Sequence, residues 1–141
     1  MSRWHPWRHM REHYPHVQVN TRCALPGGVE GEWHEECGIR LHWELTQLGR
    51  RCALTHEIIH MERGWAPRSL EEARLEEAIV VELTARRLIP LADLVDAIRW
   101  CPDAPDHRDL NVVPSVLTVR VRVLLQWERD VIRDAVEGRA A

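Results

Sequence analysis

The 141-residue chain lacks several features that would assign it to a common class of protein. It has no apolar run of about 18 residues, so we expect no membrane-spanning helix. Its first residues are polar and rich in His, Trp and Arg, so we expect no signal peptide. Lysine is absent, and the net charge of −3 gives no reason to expect direct nucleic-acid binding. These features favour a cytoplasmic protein that does not contact a membrane.

Cysteine pairs with the Cys-x-x-Cys spacing are also absent, although the chain has four cysteines, at positions 23, 37, 52 and 101. Cys52 lies in a segment that we predict to be a buried helix, so four reduced thiols are expected rather than two disulfides. A structural zinc site built on cysteines is not expected. A chain of this length buries one good core and not two.

The most specific motif is His-Glu-Ile-Ile-His at residues 56–60. Two histidines four residues apart on a helix lie one above the other, about 6 Å apart, so both imidazoles can bind one Zn²⁺. The intervening Glu57 then lies close to a metal-bound water. This arrangement is typical of zinc metallopeptidases.

A helix is predicted around the motif, with Thr46 as its N-cap and Gly64 just past its last turn. On this helix Gly49 and Ala53 share the face of His56 and His60. The alternative is a solvent-facing helix whose two histidines are incidental, but an incidental pair has no need of small residues beside it. The pattern therefore favours a mostly buried helix with a metal-binding face.

A zinc site of this kind needs a third protein ligand and an open position. The next predicted helix spans residues 70–89, because Ser69 and Glu72 form a capping box and Pro90 ends the run. Glu77 lies in the middle of its apolar stripe, where an unpaired carboxylate would cost several kcal/mol. We therefore predict that Glu77 is buried and is the third ligand.

Two alternatives concern the same helix. Glu76 is the second candidate for the third ligand, and Glu77 itself could instead form a buried ion pair with an arginine. Glu82 lies on the opposite side near Arg86 and is interpreted as a solvated ion pair.

A hairpin is predicted before the helix that carries the His-Glu-Ile-Ile-His motif. It has a strand at 29–33, a turn at 34–38 and a strand of alternating apolar and polar residues at 39–43. His34 or His42 on this hairpin could stabilise an oxyanion, although a lone strand histidine is more often only exposed.

The N-terminal histidines could form a second metal site. The preferred interpretation is a short amphipathic helix that packs Trp4, Trp7 and Met10 while its histidines face water; these histidines are His5, His9, His13 and His16.

The runs RRCALTHEIIHMERG (residues 50–64) and EEAIVVELTARRLIP (residues 76–90) resemble the ImmA/IrrE family of metallopeptidases, particularly its short phage and actinobacterial members. The resemblance implies that His56, His60 and Glu77 bind zinc and that Glu57 is the catalytic acid and base. It also implies that a strand beside the active helix pairs with substrate, and that the substrate is a helix-turn-helix repressor. Many relatives carry an acidic or amide residue after the third ligand, where this chain has residues 79–81, Ile-Val-Val.

The C-terminal part is predicted to be helical, with a helix at 91–100 and a Pro/Asp-rich connection at 101–109. Residues 119–123 alternate as a strand would, but the resemblance favours a helix-turn-helix-like arrangement. We predict a metallopeptidase domain at 1–100 and a substrate-recognition segment at 101–141, in which substitutions at Arg120 and Arg122 weaken recognition of the partner. The alternative is that this segment closes the single core through Leu117, Val123, Leu124 and Trp127.

The sequence as a whole predicts an α+β, zincin-like fold in which two helices pack on a small sheet. The predicted function is zinc-dependent cleavage of a protein substrate. One competing hypothesis is a regulator with a structural zinc that binds a repressor or DNA, but such a site has no use for a carboxylate in the position of Glu57. Another is a non-catalytic anti-repressor.

Overall fold

The α+β class is confirmed by the computed structural model, which describes residues 3–64 and 66–140. The predicted domain at 1–100 and the predicted segment at 101–141 include residues 1, 2, 65 and 141, which lie outside the described part. None of the described helices combines the length and the apolarity that crossing a bilayer requires. The described elements are α1 (Pro6–His13), β1 (Val19–Cys23), β2 (Gly31–His34), β3 (Gly38–His42), α2 (Gln47–Arg63), α3 (Leu70–Leu88), α4 (Leu91–Trp100), α5 (Pro114–Arg122) and α6 (Gln126–Ala140).

The three strands form one sheet in the order β1-β3-β2. Strands β2 and β3 are the predicted hairpin, antiparallel, with Trp33 opposite Ile39. Strand β1 was not predicted; it runs parallel to β3, with Val19 also opposite Ile39. Ile39 and Leu41 of the central strand are fully buried. The sheet therefore places β2 at an edge, and β2 also contacts α2.

Helix α2 begins and ends where its sequence predicts. The Thr46 hydroxyl accepts a hydrogen bond from the Gly49 N–H at 3.0 Å. Gly64 adopts a left-handed conformation, with φ of 62°, which glycine adopts without a steric penalty. Leu54 and Ile58 are fully buried and belong to the same core cluster as the central strand. This packing fixes the orientation of the two motif histidines.

Helix α1 packs on α2. The predicted packing is confirmed for Met10 and is wrong for Trp7. Met10 is buried in the core, whereas Trp7 is 37% exposed. The Trp4 indole donates a hydrogen bond to the Thr55 hydroxyl at 2.9 Å. The prediction that the histidines face water does not hold for His9, whose ring lies 3.3 Å from a Glu62 carboxylate oxygen.

A second core cluster joins both sides of the predicted boundary between residues 100 and 101. Cys52 and Leu94 lie before the boundary, and Leu110 and Val112 lie after it. The Arg51 guanidinium on α2 also donates to the Asn111 carbonyl at 2.7 Å. Residues 110–132 thus pack against the helices that precede them; the partly buried contributors are Val113, Val116, Leu117, Leu124 and Ile132.

Buried charges join helices α3, α5 and α6. Glu128 is 2% exposed and accepts hydrogen bonds from Arg120 at 2.6 Å and from Arg86 at 2.9 Å. Arg120 also donates to the Ile89 carbonyl at 2.7 Å. The Arg120 side chain is buried in this network, so any effect of Arg120 on partner recognition would act through the packing of α5. Arg122 is exposed.

Candidate metal centre

Three side chains from α2 and α3 converge in front of the sheet. His56 Nε2 lies 2.8 Å from one carboxylate oxygen of Glu77, and His60 Nε2 lies 3.0 Å from the other. The two Nε2 atoms are 3.2 Å apart. Among the described residues, these three are the one group of histidines, cysteines and carboxylates close enough to share a metal ion. The N-terminal histidines form no such group within the described residues.

The chemistry of this group fits a zinc ion. Two imidazole nitrogens and one carboxylate form a donor set that zinc takes in catalytic sites, where a further coordination position is left open. All three side chains offer their donor atoms toward one point, because α2 places the histidines one turn apart and α3 crosses in front of them. The group includes no cysteine.

The Glu77 carboxylate lies next to His56 and His60, but the prediction that Glu77 is buried is wrong. Its side chain is 50% exposed. The buried glutamate is its neighbour Glu76, which is 6% exposed and accepts two hydrogen bonds from Arg63, at 2.5 and 3.0 Å. The buried ion pair considered for Glu77 is therefore formed by Glu76, and its carboxylate is already occupied.

The protonation of the group follows from these contacts. Hydrogen bonds from His56 and His60 hold the pKa of the Glu77 carboxyl well below its usual range. The hydrogen bond with Glu77 raises the pKa of His60, against the opposing effect of burial. The Glu77 carboxylate is thus charged at neutral pH, as a metal ligand must be.

Glu57 lies beside the triad and is 6% exposed. Burial raises the pKa of its carboxyl, although the neighbouring His56 and His60 oppose that shift. The residue of β2 that faces it is Gly31: a Cβ there would lie 3.1 Å from Glu57 Cγ and 3.3 Å from Glu57 Oε1. The absence of a side chain at this position leaves the Glu57 carboxyl the space it occupies. Sequence reasoning did not identify Gly31, although it lies in the predicted strand.

Two cavities border these residues. One, of about 480 Å³, extends from His56, Glu57 and Glu77 toward α5. The other, of about 340 Å³, lies on the side of β2 and is lined by the same three residues, by His60 and by Glu32 and Trp33.

The two strand histidines considered for oxyanion stabilisation line neither cavity. The His34 ring lies 3.4 Å from the Glu32 carboxylate, and the His42 ring accepts a hydrogen bond from the Glu44 N–H at 3.2 Å. Their described contacts are therefore local to the hairpin.

No family model matches the chain, and no characterised protein or solved structure is significantly similar to it.

Proposed function

We propose that the chain is a zinc-dependent endopeptidase of the ImmA/IrrE type. The observation that carries the proposal is the convergence of His56, His60 and Glu77 beside a buried Glu57. His56, His60 and Glu77 would hold the zinc ion, which would supply Lewis-acid polarisation of a carbonyl and make a water molecule more acidic.

Glu57 is the acid and base of the proposed reaction. Its carboxylate takes a proton from the attacking water and returns it to the leaving amine. The position of Glu57 supports this role, because its carboxyl is buried beside the three proposed ligands and lines both cavities that border them. The proposed protein substrate, a helix-turn-helix repressor, rests on the sequence resemblance alone.

A non-catalytic regulator held together by zinc is the second candidate, and one observation favours it. Histidines that bind catalytic zinc commonly donate their other ring nitrogen to an acceptor that orients the ring. The polar contacts that the described residues make with these two rings run through Nε2, to each other and to the Glu77 carboxylate. Ile79, Val80 and Val81 also stand where many relatives carry an acidic or amide residue.

The Glu57→Gln variant separates the two candidates. Glutamine preserves the shape of the side chain and loses the base, so we expect zinc content and fold to remain while cleavage falls about 100-fold or more. The assay uses the zinc-loaded protein with two substrates: the repressor encoded nearest to it and a mixed peptide library.

The outcomes are distinct. Cleavage retained by the Glu57→Gln protein, with contaminating protease excluded, would rule out the role of Glu57. A zinc-loaded wild-type protein that cleaves neither substrate would favour the non-catalytic regulator. Cleavage of peptides but not of the repressor would reject only the proposed substrate.

A further inference from the structure

The larger of the two cavities is bounded by small residues from α2 and α3. Cys52 and Ala53 lie on the face of α2 that carries His56, and Ala85 lies opposite them on α3. All three are buried, at 6%, 5% and 1% exposure. The space exists because none of these side chains is large enough to fill it. We call this space the apolar cavity; its lining includes Cys52, Ala53, Thr84 and Ala85 from α2 and α3 and Val116 and Val119 from α5.

The far wall of the apolar cavity comes from α5. Val116 and Val119 are three residues apart and therefore lie on one face of this helix. Helix α5 packs against α3, and the carbonyl of Val123, just after α5, accepts a hydrogen bond from Arg86 of α3 at 2.6 Å. Residues from the predicted C-terminal segment thus line a cavity that also contains His56 and Glu57.

The position of the cavity identifies its occupant, if the proposed peptidase function holds. A scissile peptide must lie against Glu57, and neighbouring residues of the substrate are only about 3.8 Å away from Cα to Cα. The side chain next to the scissile bond is therefore the group that reaches the apolar cavity. Its volume of about 480 Å³ is within the range of small-ligand sites. Three glutamates line each cavity, and Glu57 and Glu77 are common to both. The second cavity differs because it lacks the small and aliphatic side chains that α2, α3 and α5 contribute to the apolar cavity.

We propose that the apolar cavity is a specificity pocket that takes a large aliphatic side chain of the substrate, and that Val119 of α5 sets its size. This inference rests on the proposed function and adds the substrate class. The C-terminal segment then selects the substrate by forming one wall of the site and not as a separate module.

The test compares two peptide hydroxamates, which bind zinc directly and differ only in carrying a leucine or an alanine side chain. Their affinities are measured calorimetrically with the zinc-loaded full chain. Burying the additional leucine carbons in the cavity predicts a preference on the order of 50-fold. In the Val119→Phe variant the preference should fall below about fivefold, because the larger ring occupies the cavity. Val121→Phe is the matched control, since Val121 lies on the same helix and is 40% exposed.

A second variant guards against misfolding caused by the larger ring. Val119→Ala enlarges the cavity and should shift the preference toward a phenylalanine hydroxamate. Equal affinity for the leucine and alanine probes in the wild type, or an identical preference in all variants, would overturn the inference. Peptide-library cleavage is scored separately. If the wild type prefers the leucine hydroxamate, Val119→Phe abolishes that preference and no peptide is cleaved, the pocket is supported and the proposed function is refuted. If peptides are cleaved but no side-chain preference is found, the proposed function is supported and the pocket is refuted.

Discussion

Gly31 determines how closely strand β2 approaches Glu57. A methyl group at this position would lie 3.0 Å from Leu41 Cδ2 and 3.1 Å from Glu57 Cγ. Leu41 is fully buried in the central strand, so it has little room to move. The Glu57 side chain is therefore the group that an added methyl would displace.

We expect Gly31→Ala to slow peptide cleavage about tenfold without releasing zinc, because a small misplacement of a catalytic base is costly. Gly27→Ala is the control, since a methyl at Gly27 meets nothing within 4 Å. Steady-state cleavage and metal content are measured for both variants. Equal rates in the two variants would show that the contact between β2 and Glu57 does not position the base.

The two adjacent glutamates show what the sequence can and cannot predict about single residues. The helical phase places Glu77 on the face toward α2, and its carboxylate does lie beside His56 and His60. Its burial could not be predicted, because periodicity does not reveal which neighbouring element covers a position. The partner of Glu76 was missed for the same reason: Arg63 lies on a different helix, 13 residues earlier.

Helix ends were predictable because local residues determine them. The caps at Thr46 and Gly64 have the expected geometry, and the Ser69 hydroxyl accepts from the Glu72 N–H as predicted. The other half of the predicted capping box is shifted by one residue, because the Glu72 carboxylate accepts from the Arg68 N–H. Strand β1 was missed because it pairs in parallel with β3 and shares no tight turn with it. The helical state of residues 119–123 depends on tertiary contacts: alternating valine and arginine suits a strand, but Arg120 meets Glu128 only when the segment is helical and packed.

The network around Glu128 couples three helices and should make stability depend on pH. Burial alone raises the pKa of Glu128, but hydrogen bonds from Arg120, the Leu125 amide and Arg86 outweigh it and lower the pKa to about 2. A glutamate in the unfolded chain titrates near about 4.3. The ionised side chain therefore contributes about 3 kcal/mol above that pH, and the contribution is lost as the pH falls toward about 2.

Glu128→Gln should lower the free energy of unfolding by about 3 kcal/mol or more at pH 7, because two arginines lose their anion. The difference in the free energy of unfolding between the wild type and Glu128→Gln should shrink between pH 5 and roughly pH 2, as the wild-type carboxylate becomes protonated. Urea unfolding at several pH values measures this difference and its dependence on pH. Glu82→Gln is the matched control, because its ion pair with the same Arg86 is 46% exposed at the glutamate and should contribute less than about 1 kcal/mol. A gap that does not change with pH would contradict this account.

For the molecule as a whole, the decisive feature is the core that residues 110–132 share with α2, α3 and α4. Leu110 and Val112 are buried at 3% and 0% exposure against side chains that include Leu88 and Leu94. Removing them would expose the α2 and α3 faces next to the metal-binding residues. The core cluster around the central strand includes none of these four side chains, so it does not replace the lost packing.

We therefore expect a chain truncated after Trp100 to lose both its cooperative thermal transition and its zinc. A chain truncated after Glu137 is the control, because it keeps Ile132 and the core contacts. Circular dichroism melting and metal analysis are the measurements. A fragment of residues 1–100 that melts cooperatively and retains zinc would instead support the separate C-terminal segment predicted from sequence.

The central claim is that His56, His60 and Glu77 form one metal site. It is tested most directly by the zinc content of the wild type, of Glu77→Ala and of Glu82→Ala after purification and dialysis. Losing one of three protein ligands should weaken zinc binding by orders of magnitude, whereas losing a surface glutamate should not. We predict one zinc per chain in the wild type and in Glu82→Ala, and almost none in Glu77→Ala. Equal zinc content in both variants, or no zinc in the wild type, would contradict the claim.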